Sequence, residues 1–562
     1  MREEQTRSEL GRRRALGSLA QPFDLVVVGG GVNGCAAAWD AALRGLRVLL
    51  VERDDVGSGT SSWSSRLIHG GLKYLEKLDV KLVRESLRER EWLLGAAPHL
   101  VRPLRMILPF YTEGKHHPLK LEAGMVAYDV LSWDKSVPHH SYWGRSKTLR
   151  KVPGLNPDGL RGAAAYYDGQ VELAERLCVE ISLAAQAAGA TILTHASVGR
   201  LDVRDGAVAG LEITDEHTGE GHYASTSLVL NTAGPWVDEI LTGLGDGPRL
   251  IGGTKGSHFI VDPFPGAPTD ALYYEARSDG RAMMVLPWRG QYMIGSTDLW
   301  FEGDLDRLGP TAEEAEYILR ETNEVLPRAR LTEEHLLWGY TGVRPLPYSP
   351  DGDVGDITRR HAFHDHAPLV RGLISLVGGK LTTFRQVGEE ATGLALKKLG
   401  ARGRRSATRR LRLPGAGVLD LGRFTEAFTR ASGLDPRVAR RLARLYGTRA
   451  RGVAERTAAD PQMREVLDEG SALTVAEISF VLEEEFAGSL TDILARRTML
   501  GIGPTVPDDV VERVAETAAR LAGWDEERAD RELRTFRDRL DRFRIPDLEQ
   551  KTVPTGGAGR GA

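Results

Sequence analysis

The chain has 562 residues, is 41% hydrophobic and 27% charged, and carries a formal net charge of -4. That length predicts two to four domains, and the charge gives no basic surplus for nucleic acid. The cysteines are Cys35 and Cys178 alone, which excludes a disulfide framework and suits a reducing cytoplasm.

Residues 1–22 are polar and arginine-rich and read as a flexible arm. Arg12-Arg13-Arg14 precedes an apolar run, an order that could be mistaken for a twin-arginine export signal. The run is better read as the first strand of the fold. No stretch is long and apolar enough to span a bilayer.

From Asp24 to Arg53 the chain reads DLVVVGGGVNGCAAAWDAALRGLRVLLVER. Leu25 to Val28 fit a buried strand, and they run straight into G-x-G-x-x-G at Gly29, Gly31 and Gly34. An Ala-rich helix follows, then a second apolar strand ending in Glu52. In such a βαβ unit the first glycine turns the chain, the second admits a pyrophosphate, and the third packs helix on sheet. The phosphates lie at the helix N-terminus, and the acid binds ribose hydroxyls, which selects NAD or FAD over a 2′-phosphorylated cofactor. Cys35, on that helix, reads as a packed thiol.

The segment Gly57 to Tyr74, GSGTSSWSSRLIHGGLKY, is rich in small hydroxyl residues and closes on His69-Gly70-Gly71. It is a poor helix and a poor strand, but it can line a large polar cofactor. Helical periodicity predicts helices over Asp79–Leu94 and Leu173–Ala188, with a β-rich stretch over Thr191–Val229. LVLNTAGPW, Leu228 to Trp236, delivers a buried strand into a second small-residue turn. From Gly252 to Thr358 short strands (Ser257–Val261, Ala282–Pro287, Gln291–Gly295) and one helix (Ala312–Val325) read as a separate sheet domain. Leu373 to Val377 then empties into Gly378-Gly379-Lys380-Leu381-Thr382-Thr383, a third Gly-rich strand-to-helix turn, whose helix N-terminus can favour an electron-accepting ring. Residues 401–417 form a basic linker, 418–545 a helical domain, and 546–562 a tail expected to be disordered.

These blocks resemble the FAD-dependent, quinone-linked glycerol-3-phosphate dehydrogenases. The likeness runs from VVVGGGVNG through HGGLKYLE, NTAGPW, KGSHF, GVRPL and GGKLTTFR to EEEFAGSLTDILARRTML. It implies a Rossmann-like α/β FAD-binding domain of the glutathione-reductase and D-amino-acid-oxidase type at 23–400. An antiparallel-sheet substrate domain is interleaved with it, mainly at 100–160 and 250–360, and a C-terminal all-α domain follows. The implied activity is oxidation of sn-glycerol 3-phosphate at C2 to dihydroxyacetone phosphate, with hydride passing to N5 of non-covalent FAD and electrons to a quinone. Implied cofactor contacts are Gly29, Gly31, Val32, Asn33, Gly34, Glu52 and Arg53; Thr60, Ser61, Ser62, Ser65, His69 and Gly70; Val198, Ala233 and Gly234; and Gly379, Lys380, Leu381, Thr382 and Thr383. The implied substrate pocket holds Lys73, Tyr74, Arg344, Lys380 and Thr382.

The side chains suit that chemistry. His69 is the group whose ordinary pKa, about 6.5, fits a base near neutral pH. Arg344 offers a planar fork for phosphate or substrate oxygen, and Lys73 and Lys380 add point charges. His69, Arg344 and Lys380 are therefore the catalytic candidates, with base and phosphate roles not separated. Many family members read HGGLRYLE; Lys73 here keeps the charge and loses bidentate geometry. Charges around Asp492, Arg496 and Arg497 read as an interdomain ion pair. No metal is assigned. The resemblance implies a peripheral cytoplasmic-face protein, with an anionic membrane surface or a second copy as candidate partners. Candidate membrane contacts are Leu100–Tyr111 and Leu119–Trp133. The rivals are an oxidase that reduces oxygen and a non-catalytic FAD sensor.

Overall fold

The computed structural model describes residues 7–76, 78–112, 118–245, 247–349, 357–418 and 420–546. Four apolar residues in a row, buried on both faces, make each of the strands Leu25–Val28 and Val48–Val51. Leu25–Val28 lies between Val48–Val51 and Val229–Asn231, all parallel, and Leu373–Val377 continues the sheet beyond Val229–Asn231. Thr191–Leu193 closes one side in parallel and Ala362–Asp365 the other in antiparallel. The register sets Val28 against both Val51 and Asn231, and Asn231 against Ser375. The ends of three distant segments thus emerge at one edge, where α/β sheets bind ligands. The helix Val32–Leu43 covers the sheet, and its small residues let another helix approach closely: a Cβ on Gly388 would stand 2.6 Å from the backbone of Ala36.

A second sheet of ten strands lies beside the first. It is mixed, because Ala271–Glu275 runs parallel to Val101–Tyr111 within an otherwise antiparallel set. Its reach exceeds the predicted limits at both ends, taking in Leu160–Val171 and the short strand Leu67–Ile68 that leads to His69. The segment Leu100–Tyr111 holds one of its strands, Val101–Tyr111: Leu100, Ile107, Leu108 and Phe110 are buried, which removes this segment as a membrane contact.

The arm is not free. Arg7–Gly17 is helical, and Arg12 donates to the carbonyls of Thr194 (2.6 Å) and His195 (2.9 Å) and pairs with Asp215. The C-terminal domain is helical apart from a ribbon pairing Val466–Asp468 with Leu473–Thr474. Two buried ion clusters fix it to the dinucleotide domain. Asp55 accepts from Arg496 Nε at 2.6 Å and from Arg497 Nη2 at 2.9 Å, and Glu485 lies between Arg176 and Arg449. The expected disordered tail lies outside the described residues, apart from its first residue, 546.

Candidate active site

The three Gly-rich turns meet along one cleft of about 2040 Å³. Gly29 has φ +103°, and a Cβ there would stand 2.8 Å from the Thr232 carbonyl, so the first crossing presses on the second. Gly379 has φ +102°, and its Cβ would stand 2.6 Å from Asn33 Nδ2, so the third presses on the first. Gly34 packs helix to strand, with only 2.0 Å between an added Cβ and the Gly29 carbonyl oxygen. The Val32 amide donates to Ser61 Oγ at 3.0 Å, bringing the hydroxyl-rich loop to the helix N-terminus.

Glu52 ends its strand inside this cleft. Its carboxylate accepts from the amides of Gly30 (2.5 Å) and Asp54 (2.9 Å). Burial, with the nearby Asp54 charge, nonetheless pushes its pKa up to about 7. Arg53 stacks on Trp236 at 4.8 Å and pairs with Asp306. Cys35 is fully buried, and burial raises its thiol to about 12, which makes it a packing residue.

Of the predicted cofactor contacts, Gly29, Gly31, Val32, Asn33, Glu52, Arg53, Thr60, Ser61, Ser65, His69, Val198, Ala233, Gly234, Gly379, Lys380, Leu381 and Thr382 line the cleft. Gly34, Ser62, Gly70 and Thr383 sit behind its wall and shape it instead. Ser62 Oγ donates to the Gly57 carbonyl, and the Gly70 amide donates to Asp168 Oδ1 at 3.1 Å. Thr60 turns its hydroxyl to the Val343 carbonyl at 2.7 Å, tying the loop to the strand that carries Arg344.

At the other end lie the candidate chemical groups. His69 follows the edge strand Leu67–Ile68, and its amide donates to Thr382 Oγ1 at 3.1 Å, joining the hydroxyl-rich segment to the third Gly-rich turn. Lys380 Nζ stands 4.0 Å from the Tyr74 ring centroid. Arg344, in the strand Leu336–Pro347, donates to Asp298 Oδ1 (2.9 Å), Ser296 Oγ (3.2 Å) and the Thr297 carbonyl (3.2 Å). Lys73 begins the short helix Lys73–Glu76; its side chain lies outside what the structure describes.

Several groups here were not singled out from sequence. Arg359 donates to Asp298 Oδ2 at 2.8 Å, and Arg281 to the Asp298 carbonyl at 2.8 Å. Burial opposes ionisation of Asp298, but the charges of Arg344 and Arg359 prevail and hold its pKa below the usual range. His258, within the KGSHF block, is buried in the cleft wall with Nε2 2.8 Å from Ser65 Oγ and its ring stacked on Tyr340. Burial and the neighbouring Arg344 charge lower its pKa to about 3. Strand alternation could have aimed His258 inward. Asp298 closes IGSTD, a block that the resemblance also includes, although its carboxylate was not singled out, and Arg359 had no motif to mark it.

The cleft fits an extended dinucleotide. Its glycines stand where a Cβ would close the turns, and the buried Asn33 Oδ1 has no hydrogen-bond partner among the described residues. Fold and cleft together define a FAD-dependent oxidoreductase, and the family model of that description matches residues 24–385. A second, the C-terminal domain of alpha-glycerophosphate oxidase, matches residues 406–529. A glycerol-3-phosphate dehydrogenase of Synechocystis is 42% identical over 93% of this chain and 97% of its own. Glycerol-3-phosphate dehydrogenase 2 of Mycobacterium tuberculosis is 35% identical, over 93% and 88%. The structure of the Bacillus halodurans glycerol-3-phosphate dehydrogenase complexed with FAD superposes with a TM-score of 0.80 at 27% identity, covering 97% of this chain and all of that one. The chain belongs to the FAD-dependent glycerol-3-phosphate dehydrogenase family.

Proposed function

We propose that this protein oxidises sn-glycerol 3-phosphate at C2 to dihydroxyacetone phosphate and passes the electrons to a membrane quinone. The observation that carries the reading is the gathering of Arg344, Arg359, Arg281 and Lys380 in the cleft that also holds the dinucleotide motif. A small phosphorylated alcohol is a compact dianion, and guanidinium forks match its oxygens. FAD, when bound, supplies the two-electron acceptor for the hydride.

The protein's part is to seat the alcohol and take its proton. Arg344 is anchored on three sides, so its fork is pre-organised to hold phosphate or polarise the substrate oxygen. His69 is the proton acceptor in this reading, with Thr382 fixing its backbone. His258 is the second candidate base. It is neutral at physiological pH, and an anion placed against Arg344 would offset the charge that depresses its basicity. Tyr74 and Lys380 form one wall, with the Lys380 nitrogen over the Tyr74 ring face.

Quinone reduction needs an encounter with the bilayer. The helix Pro118–Leu131 and the turn after it expose Val126, Val130 and Trp133, the last to 76%, and Leu78 stands nearby in sequence to the adjoining helix at 82% exposed. Arg84 lies 5.7 Å from the Trp133 ring. Exposed apolar side chains on one helix and its turn suit shallow, loose attachment to a membrane surface, and among the described residues no helix is long and apolar enough to cross one. The test is turnover of glycerol 3-phosphate by purified protein with a quinone analogue and with oxygen alone. Rapid reduction of the analogue with little peroxide is expected; stoichiometric peroxide would make the protein an oxidase.

A further inference from the structure

The helical domain ends inside the cofactor site. Its last long helix, Glu526–Leu540, runs into a turn at Asp541–Phe543. Phe543 is buried edge-on against Trp63 and Trp338, at 5.7 and 5.3 Å between ring centroids. That seat directs Arg542 over the Trp63 ring, 4.2 Å from its centroid, and into the wall of the cleft. Trp63 belongs to the hydroxyl-rich loop: its indole donates to the Ser58 carbonyl at 3.0 Å, two residues beyond the Ser61 hydroxyl that meets the first amide of the dinucleotide helix. Arg542 therefore overhangs the segment that borders the diphosphate turn.

Its cationic neighbours hold oxygen acceptors, whereas Arg542 rests on the Trp63 ring. Arg539 donates to the Gly501 carbonyl at 3.0 Å, Arg496 holds Asp55 and Asp492, and Asp306 is taken by Arg53. Among the described residues no carboxylate lies within ion-pair distance of Arg542. Burial pushes its guanidinium down to about 10, with Asp54 and Asp306 acting only from beyond bonding distance. The guanidinium is half-buried in the cleft wall, and the cleft it faces is built for a ligand that carries two phosphates, the kind of anion that a planar guanidinium fork matches.

We infer that Arg542 is a cofactor-binding residue supplied by the helical domain, its guanidinium taking the diphosphate of the dinucleotide. This rests on the FAD reading of the cleft. It gives the domain a task beyond packing: it holds the Glu52–Asp55 segment through Arg496 and Arg497 and closes over the cofactor through Arg542. Loss of cofactor would then loosen the domain, and loosening of the domain would release cofactor.

The test is FAD binding by the full-length apoprotein, followed by quenching of flavin fluorescence. ADP serves as a competitor that has the diphosphate and lacks the flavin. Arg542→Met keeps the aliphatic stem on Trp63 and removes the charge. The expected result is a rise of about ten-fold or more in Kd for FAD, the loss of one charge-assisted hydrogen bond, with the same factor for ADP and an intermediate effect for Arg542→Lys. Arg539→Met also touches Trp63, at 5.6 Å, but does not line the cleft, and should leave both constants nearly unchanged. Should Arg542→Met lose its near-ultraviolet circular dichroism, Arg542→Gln replaces it under the same criteria. An Arg542 variant that binds FAD like the parent, or that weakens FAD and not ADP, overturns the inference. A parent chain that takes up no FAD overturns the cofactor reading itself.

Discussion

Replacing Glu485 by glutamine tests how the helical domain is pinned to the rest. Glu485 caps the helix Val475–Glu484 and is fully buried, with Oε1 2.9 Å from Nη2 of Arg176 in the dinucleotide domain and Arg449 on its other side. Burial alone would raise its pKa, but the Arg176 and Arg449 charges outweigh it and hold the carboxyl at about 2, against an ordinary 4.5. That difference corresponds to about 3 kcal/mol of stability. Breaking a buried ion pair by removing one partner costs about 3–5 kcal/mol, so two routes agree. The folded pKa is the lower one. The stabilisation is therefore complete above about 4.5 and drains away as pH falls towards about 2. Urea unfolding of parent and Glu485→Gln holoproteins, followed by tryptophan fluorescence, should show a gap of about 3 kcal/mol at pH 7, shrinking to about 2 kcal/mol at pH 3.5. A gap below about 1 kcal/mol at pH 7, or one indifferent to pH, would refute the reasoning.

Other consequences concern the cleft. Arg344→Ala should retain FAD yet slow flavin reduction by glycerol 3-phosphate by about a hundred-fold or more, since it strips a fixed charge from the substrate and leaves Asp298 short of a partner; single-turnover absorbance at 450 nm measures this. Under the same assay His69→Ala and His258→Ala identify the base, whichever variant keeps FAD and loses flavin reduction by glycerol 3-phosphate. Gly379→Ala should abolish FAD uptake, because the added methyl meets Asn33 at a left-handed backbone position; yellow, stoichiometrically loaded variant would count against the turn. Val130→Ser with Trp133→Ser should weaken sedimentation with anionic vesicles and leave turnover with a soluble acceptor intact.

What could be read in advance followed local physics. The strand-glycine-helix-strand-acid unit is encoded within thirty residues by period and turn chemistry, and Leu373–Val377 matches its predicted span. Asp298 lies in the IGSTD block, but its role and that of Arg359, which lies in no motif, were illegible because only the tertiary fold brings the two to Arg344. The same holds for Arg542, which reaches Trp63 from the far end of the chain. Leu100–Tyr111 misled because its mixed basic and apolar residues fit a bilayer surface as well as a strand with one end exposed. The arm was read from polarity alone, yet Arg12 finds two carbonyls and Asp215.

The most direct measurement is the visible spectrum of the purified protein without oxygen, before and after addition of sn-glycerol 3-phosphate. The account predicts a flavin band that bleaches on addition and returns with a quinone analogue. A colourless protein, or a flavin indifferent to this substrate, would contradict it.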